Sequence, residues 1–179
     1  MAGRDRFDLL TGSGLLVCIL VLGLLLANGQ RHDSSAAALD KALEQQMAYQ
    51  ARLDFLHKLY QPVEELRAAG QVSSALLKLD ELGRRYPQEA HGEILYGEIL
   101  GERGALQESI DHYARAVRLN GDYVDKSSPL SRRQAIQRLV DAQLPEFAKR
   151  TGQNPESSGL QHTLSGLYYL QSRLAGGCE

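Results

Sequence analysis

The sequence predicts an all-α protein: an N-terminal transmembrane helix, then a short solenoid of helical hairpins, then a helical C-terminal cap. Three features point there. Residues 9–30, LLTGSGLLVCILVLGLLLANGQ, carry no charged side chain. Between residues 56 and 123, glycine and apolar positions recur at intervals of 34. Ala, Leu and Gln are frequent, Trp is absent, Phe numbers only 3, and Val and Ile are few beyond the N-terminus. That composition favours helix over sheet.

The first element is the apolar run. Residues 1–8 form a short stub, and Leu9 to Ala27 would rise roughly 28 Å as a helix, close to the thickness of a bilayer core. Leu15 to Leu26 is apolar on every face, whereas a buried core helix of this length normally keeps a polar stripe. A single membrane anchor is the leading expectation. A cleaved secretory signal is the alternative, because Ala27 and Gly29 are small residues spaced as a cleavage site before Gln30. Arg4, Arg6 and the amino terminus on the stub favour a cytoplasmic N-terminus and an exported body. The expected location is a bacterial inner membrane crossed once, with the C-terminal domain in the periplasm.

Residues 28–55 link the anchor to the hairpins. Within and just beyond them, residues 35–60 read as one helix, with Ser34 or Ser35 as its cap. Leu39, Leu43, Met47, Leu53, Leu56 and Tyr60 fall roughly on one stripe. Two fates are open to it: packing on the first hairpin, or pairing with a second copy as a short coiled coil that makes a homo-oligomer. Gln46 and Gln50 interrupt the stripe and weigh against the coiled coil.

The period defines residues 56–123. Gly70 matches Gly104, His57 matches His91, Leu66 matches Leu100, and Val72 matches Leu106. Leu76 pairs likewise with Ile110, Leu79 with Tyr113, and Arg85 with Leu119. Each unit reads as two helices. Leu59, Val63 and Leu66 precede Gly70, and Leu76, Leu79 and Leu82 follow it before Pro87 stops the chain. Ile94, Leu95, Ile99 and Leu100 precede Gly104, then Leu106, Ile110, Tyr113 and Val117 continue to Asn120-Gly121. Gly104 suits a left-handed helix end.

These residues resemble the tetratricopeptide repeat (TPR). That family places small residues at positions 8, 20 and 27, Gly near 15, an aromatic at 24 and Pro at 32. Counted from Ala90, this chain has Gly97, Gly104, Ser109, Tyr113, Ala116 and, at the Pro position, Gly121. Counted from Leu56, it has Val63, Gly70, Ala75, Leu79, Leu82 and Pro87. Leu59 and Glu93 stand where Trp is common, and Val63 and Leu82 are bulky for small positions. The resemblance implies that Gly97, Ser109 and Ala116 let two antiparallel helices approach while Tyr113 fills the remaining space. It also implies a concave groove holding His57, Tyr60, Glu64, Arg67 and Ala68, then His91, Ile94, Glu98, Gly101 and Glu102. The ligand would be a protein or peptide with apolar and basic groups, contacting Tyr60 and Ile94 and pairing with the glutamates.

After Tyr123 the period fades, and residues 124–179 read as a degenerate repeat with a helical cap. Ser127-Ser128-Pro129 looks like a helix start, with Leu130, Ile136, Leu139, Val140 and Leu144 on one face. Pro145 falls inside that stretch. Ser157 or Ser158 opens a last helix carrying Leu160, Leu164, Leu167, Tyr168 and Leu174.

Chemistry is not written in the motifs. No H-E-x-x-H, C-x-x-C, G-x-S-x-G, Walker or G-x-G-x-x-G pattern occurs, so neither enzyme, metal site nor cofactor is expected. Charge balances at 20 Lys+Arg against 22 Asp+Glu, which gives no overall pull toward nucleic acid. It is uneven locally: residues 31–114 carry 9 basic and 14 acidic side chains, and residues 115–150 carry 8 basic and 4 acidic, which reads as a solvated polar surface or as a basic end that docks on lipid headgroups or an acidic protein. The expectation is a membrane-anchored scaffold or assembly factor of an envelope complex. A signal-cleaved soluble periplasmic peptide-binding protein is the alternative.

Overall fold

The computed structural model describes the backbone of residues 4–176 and the side chains of residues 16–24 and 39–176. Among the described residues there are six α-helices and one 3-10 turn, with no strand. They are α1 (Arg4–Ala68), α2 (Val72–Arg85), α3 (Ala90–Glu102), α4 (Leu106–Leu119), α5 (Arg133–Gln153) and α6 (Ser158–Leu174); the 3-10 turn is Gly121–Tyr123. The chain divides into two compact units, Met1–Phe55 and Leu56–Glu179.

The first unit consists of α1 up to Phe55. Its backbone is helical through residues 34 and 35, so no separate helix begins at Ser34 or Ser35. Leu39, Leu43 and Met47 are exposed, while Leu56 and Tyr60 of the same expected stripe are buried in the second unit's core. Among the described residues no helix is long and apolar enough to cross a membrane. Of the expected span 9–27, the side chains of 9–15 and 25–27 lie outside the described residues.

In the second unit the 34-residue period is carried by the backbone. Val72–Arg85 shifted by 34 is Leu106–Leu119, and the helix ends at Ala68 and Glu102 are related by the same shift. Both turns close alike. Gly70 (φ 72°) donates to the Arg67 carbonyl and Gln71 to the Leu66 carbonyl; Gly104 (φ 77°) donates to Gly101 and Ala105 to Leu100. A residue in the left-handed region at the second place past a helix satisfies the last carbonyls in this way, and glycine adopts it without a Cβ penalty.

The packing between α3 and α4 has the expected steric cause. Ser109 and Ala116 are fully buried, and Ser109 Oγ donates to the Gly97 carbonyl at 2.6 Å. A Cβ on Gly97 would lie 3.0–3.2 Å from the Tyr113 ring. Between the hairpins, the Tyr60 hydroxyl sits where a Cβ on Gly92 would come within 2.9 Å of it.

The remaining helices do not continue the period. α4 packs on α6, not on α5, and α5 packs on α6. Gly166 of α6 faces Ile110 and Ala114 of α4. Ser157 caps α6 as expected, its hydroxyl accepting from the Leu160 N–H. α5 begins at Arg133, not at Ser127 or Ser128. The Asp125 carboxylate accepts from the Ser127 N–H and hydroxyl at 2.8 and 2.9 Å, and Ser128 Oγ accepts from the Leu130 N–H at 3.1 Å. Those local bonds make turns in place of a helix, and Leu130 turns inward and is buried.

Candidate protein-binding cleft

The groove residues expected from the resemblance divide into three groups. His57, Glu64 and Ala68 are exposed on α1. Tyr60, His91 and Ile94 are buried, so they belong to the core and do not line a groove. Arg67, Gly101, Glu98 and Glu102 come together at one wall of a cleft.

Tyr60, His91 and Ile94 are buried for an identifiable reason. The chain after α4 returns across this face: the Arg132 N–H donates to the Tyr123 carbonyl at 2.8 Å, and Arg132 Nε donates to Glu98 Oε1 at 2.8 Å. The Tyr123 hydroxyl lies 3.0 Å from His91 Nδ1, and Tyr60 tilts over the other side of the imidazole with ring centres 5.0 Å apart. Burial lowers the His91 pKa to about 4, and the Arg132 charge pushes the same way. Burial likewise pushes the hydroxyls of Tyr60 and Tyr113 above the ordinary tyrosine value. His91 is therefore neutral at pH 7 and serves as a packed, hydrogen-bonded ring.

The expected glutamates already have partners. Arg67 Nη1 is 2.6 Å from Glu98 Oε2, and its other amino group bonds Glu102. Glu98 thus sits between Arg67 and Arg132, with its side chain 15% exposed. The Glu102 hydrogen bond, and then that of Glu98, outweigh burial and hold the Arg67 guanidinium above its ordinary value.

The cleft these residues border has a volume of about 590 Å³, within the usual range for binding pockets. Leu106 and Tyr113 of α4 line it, and α5 forms the opposite wall with Ala135, Arg138, Leu139, Ala142 and Gln143. These α5 positions fall at i, i+3, i+4, i+7 and i+8, so they share one helix face. Sequence reading counts Arg132 and Arg138 in the basic stretch 115–150 but places neither at the groove, because the repeat pattern carries no information about where α5 returns.

Another hollow, about 660 Å³, is lined by Gly121, Asp122, Asp125, Arg133 and Arg173. Its Arg133 is occupied by the carbonyls of Val124 and Leu174. A second polar cluster joins α3 to α4: Glu93 Oε2 lies 2.7 Å from His112 Nδ1 and 3.0 Å from Arg115 Nε. Burial raises the Glu93 pKa, but these two hydrogen bonds outweigh it and leave the carboxyl below its ordinary value. Tyr96 stacks on His112 with ring centres 4.6 Å apart. Among the described residues no group of three or more His, Cys, Asp or Glu is placed to hold a metal ion.

Compared with models of known protein families and with curated proteins, the chain matches none.

Proposed function

We propose that this chain is a membrane-anchored, TPR-like scaffold or assembly factor that binds another protein through the α3–α4–α5 cleft. The recurrence of α2 and its preceding turn as α4 and its preceding turn, 34 residues on, carries the TPR-like reading. The cleft supports binding because it pairs an apolar lining, Leu106 and Leu139, with charged edges, Glu102 and Arg138. The uncharged run 9–30 supports the anchor, and Arg4 and Arg6 support an inner-membrane placement with a periplasmic body. Ala27 and Gly29 favour a second reading, release of a soluble periplasmic form by cleavage.

Photo-crosslinking amino acids placed at Leu106, Leu139 and Leu77 in native membranes test the binding role. Adducts to another protein from Leu106 and Leu139, and none from Leu77 on α2, are expected. Adducts only from Leu77, or from no position, reject the cleft. The mass of the mature chain separates anchor from cleaved signal.

A further inference from the structure

The charges left over at the cleft reverse the ligand chemistry that the TPR resemblance implies for the groove. The two glutamates on the α1–α3 side are answered within the chain: Arg67 holds both, and Arg132 holds Glu98 as well. A basic ligand would have to displace those guanidinia. On the α5 side, Arg138 is exposed, and its Nε donates only to the Gln134 carbonyl of its own helix, at 3.4 Å. Among the described residues no carboxylate pairs with it.

An adjoining hollow of about 360 Å³ extends the same wall, lined by Lys126, Ser131, Arg132, Gln134, Ala135 and Arg138, with no carboxylate among them. The two hollows share Ala135 and Arg138. The acids in neighbouring sequence are occupied elsewhere: Asp125 accepts from Ser127, and Asp141 from Gln137 at 2.8 Å. The result is an apolar cleft that opens onto two uncompensated cations, Arg138 and Lys126.

We infer that the cleft takes an acidic amphipathic segment: apolar side chains between Leu106, Tyr113 and Leu139, with flanking carboxylates on Arg138 and Lys126. The small side chains of Ala135 and Ala142 let the segment's backbone approach α5. A carboxylate against an arginine gains charge-assisted hydrogen bonds, while a lysine there meets like charge. This assignment rests on the cleft being the binding surface, and it adds the partner's chemistry.

The test uses the full chain in detergent micelles and three labelled synthetic helical peptides. One has a leucine ridge flanked by glutamates, one the same ridge flanked by lysines, and one the glutamates with the ridge changed to serine. Fluorescence anisotropy at physiological ionic strength is expected to show the Leu/Glu peptide binding about tenfold or more tighter than the Leu/Lys peptide. The serine-ridged peptide is expected to bind no better than the lysine one. Arg138→Glu should reverse the preference and Arg138→Gln should erase most of it, while Arg85→Glu, on α2 and lining neither hollow, should change nothing. Equal or tighter binding of the lysine peptide overturns the inference, as does retention by the serine-ridged peptide or indifference to both Arg138 variants. If no peptide binds while Leu106 and Leu139 still crosslink a partner, the acidic preference falls and the cleft reading stands; if those crosslinks are absent too, both fall.

Discussion

Gly97 has no room for a methyl group. Its Cβ would press on the Tyr113 ring at 3.0 Å, and Tyr113 is itself buried against α3, so it has little space to give. Gly97→Ala is expected to destabilise the fold by about 1–3 kcal/mol in denaturant unfolding. Gly83, inside α2 with nothing within 4 Å of its Cβ position, supplies the contrast. Gly83→Ala is expected to stabilise by about 0.5–1 kcal/mol, by reducing backbone freedom in the unfolded chain. His91 gives stability a pH dependence. Its pKa is depressed in the folded state to about 4 from 6.5, so the unfolded chain binds the proton more readily. The full contribution is present above pH 6.5 and drains as pH falls through 6.5 toward 4, by about 3 kcal/mol in all. Unfolding measured across that range should show the slope, and His91→Gln should flatten it. Residue spacing made Gly97, Ser109 and Tyr113 legible, because their contact lies within one hairpin. It could not place Tyr60, His91 and Ile94, whose burial depends on Tyr123 and Arg132 arriving from outside the repeat.

The helices from α2 to α4 could be read in advance because their stops are local. Gly70 and Gly104 at positive φ end α1 and α3, and Asn120 ends α4. Gly104→Ala leaves open space around the new methyl group but strains the backbone, at about 1–2 kcal/mol. Thermal unfolding of Gly104→Ala beside Gly83→Ala should show opposite signs for the same chemical change. Proline was the poorer guide. Pro87 stands beyond the end of α2, yet Pro62 and Pro145 lie inside α1 and α5 at exposed positions. The start of α5 was misread because Asp125 and Ser128 spend their side chains on turns, which a cap-plus-proline pattern cannot distinguish from a helix start.

At the scale of the molecule, sequence foretold an all-helical chain and the 34-residue spacing of its helix ends. The order in which the last helices pack was not legible, because α6 takes the place beside α4 through Gly166, a contact without any periodic signature. The cleft inherits that limit, since one of its walls is α5. Everything in the proposed scaffold depends on the first hairpin nesting against the second, and Tyr60 over Gly92 is a point where they touch. A double-mutant cycle in unfolding of the full chain, read by the near-ultraviolet signal of its tyrosines, probes that contact. Gly92→Ala alone should destabilise, because its Cβ meets the Tyr60 hydroxyl at 2.9 Å while the nearest ring carbons lie at 3.5 Å. In a Tyr60→Phe background the obstructing oxygen is gone, and the same change should be milder by about 1 kcal/mol. Equal destabilisation by Gly92→Ala in both backgrounds would mean that the hairpins do not nest there.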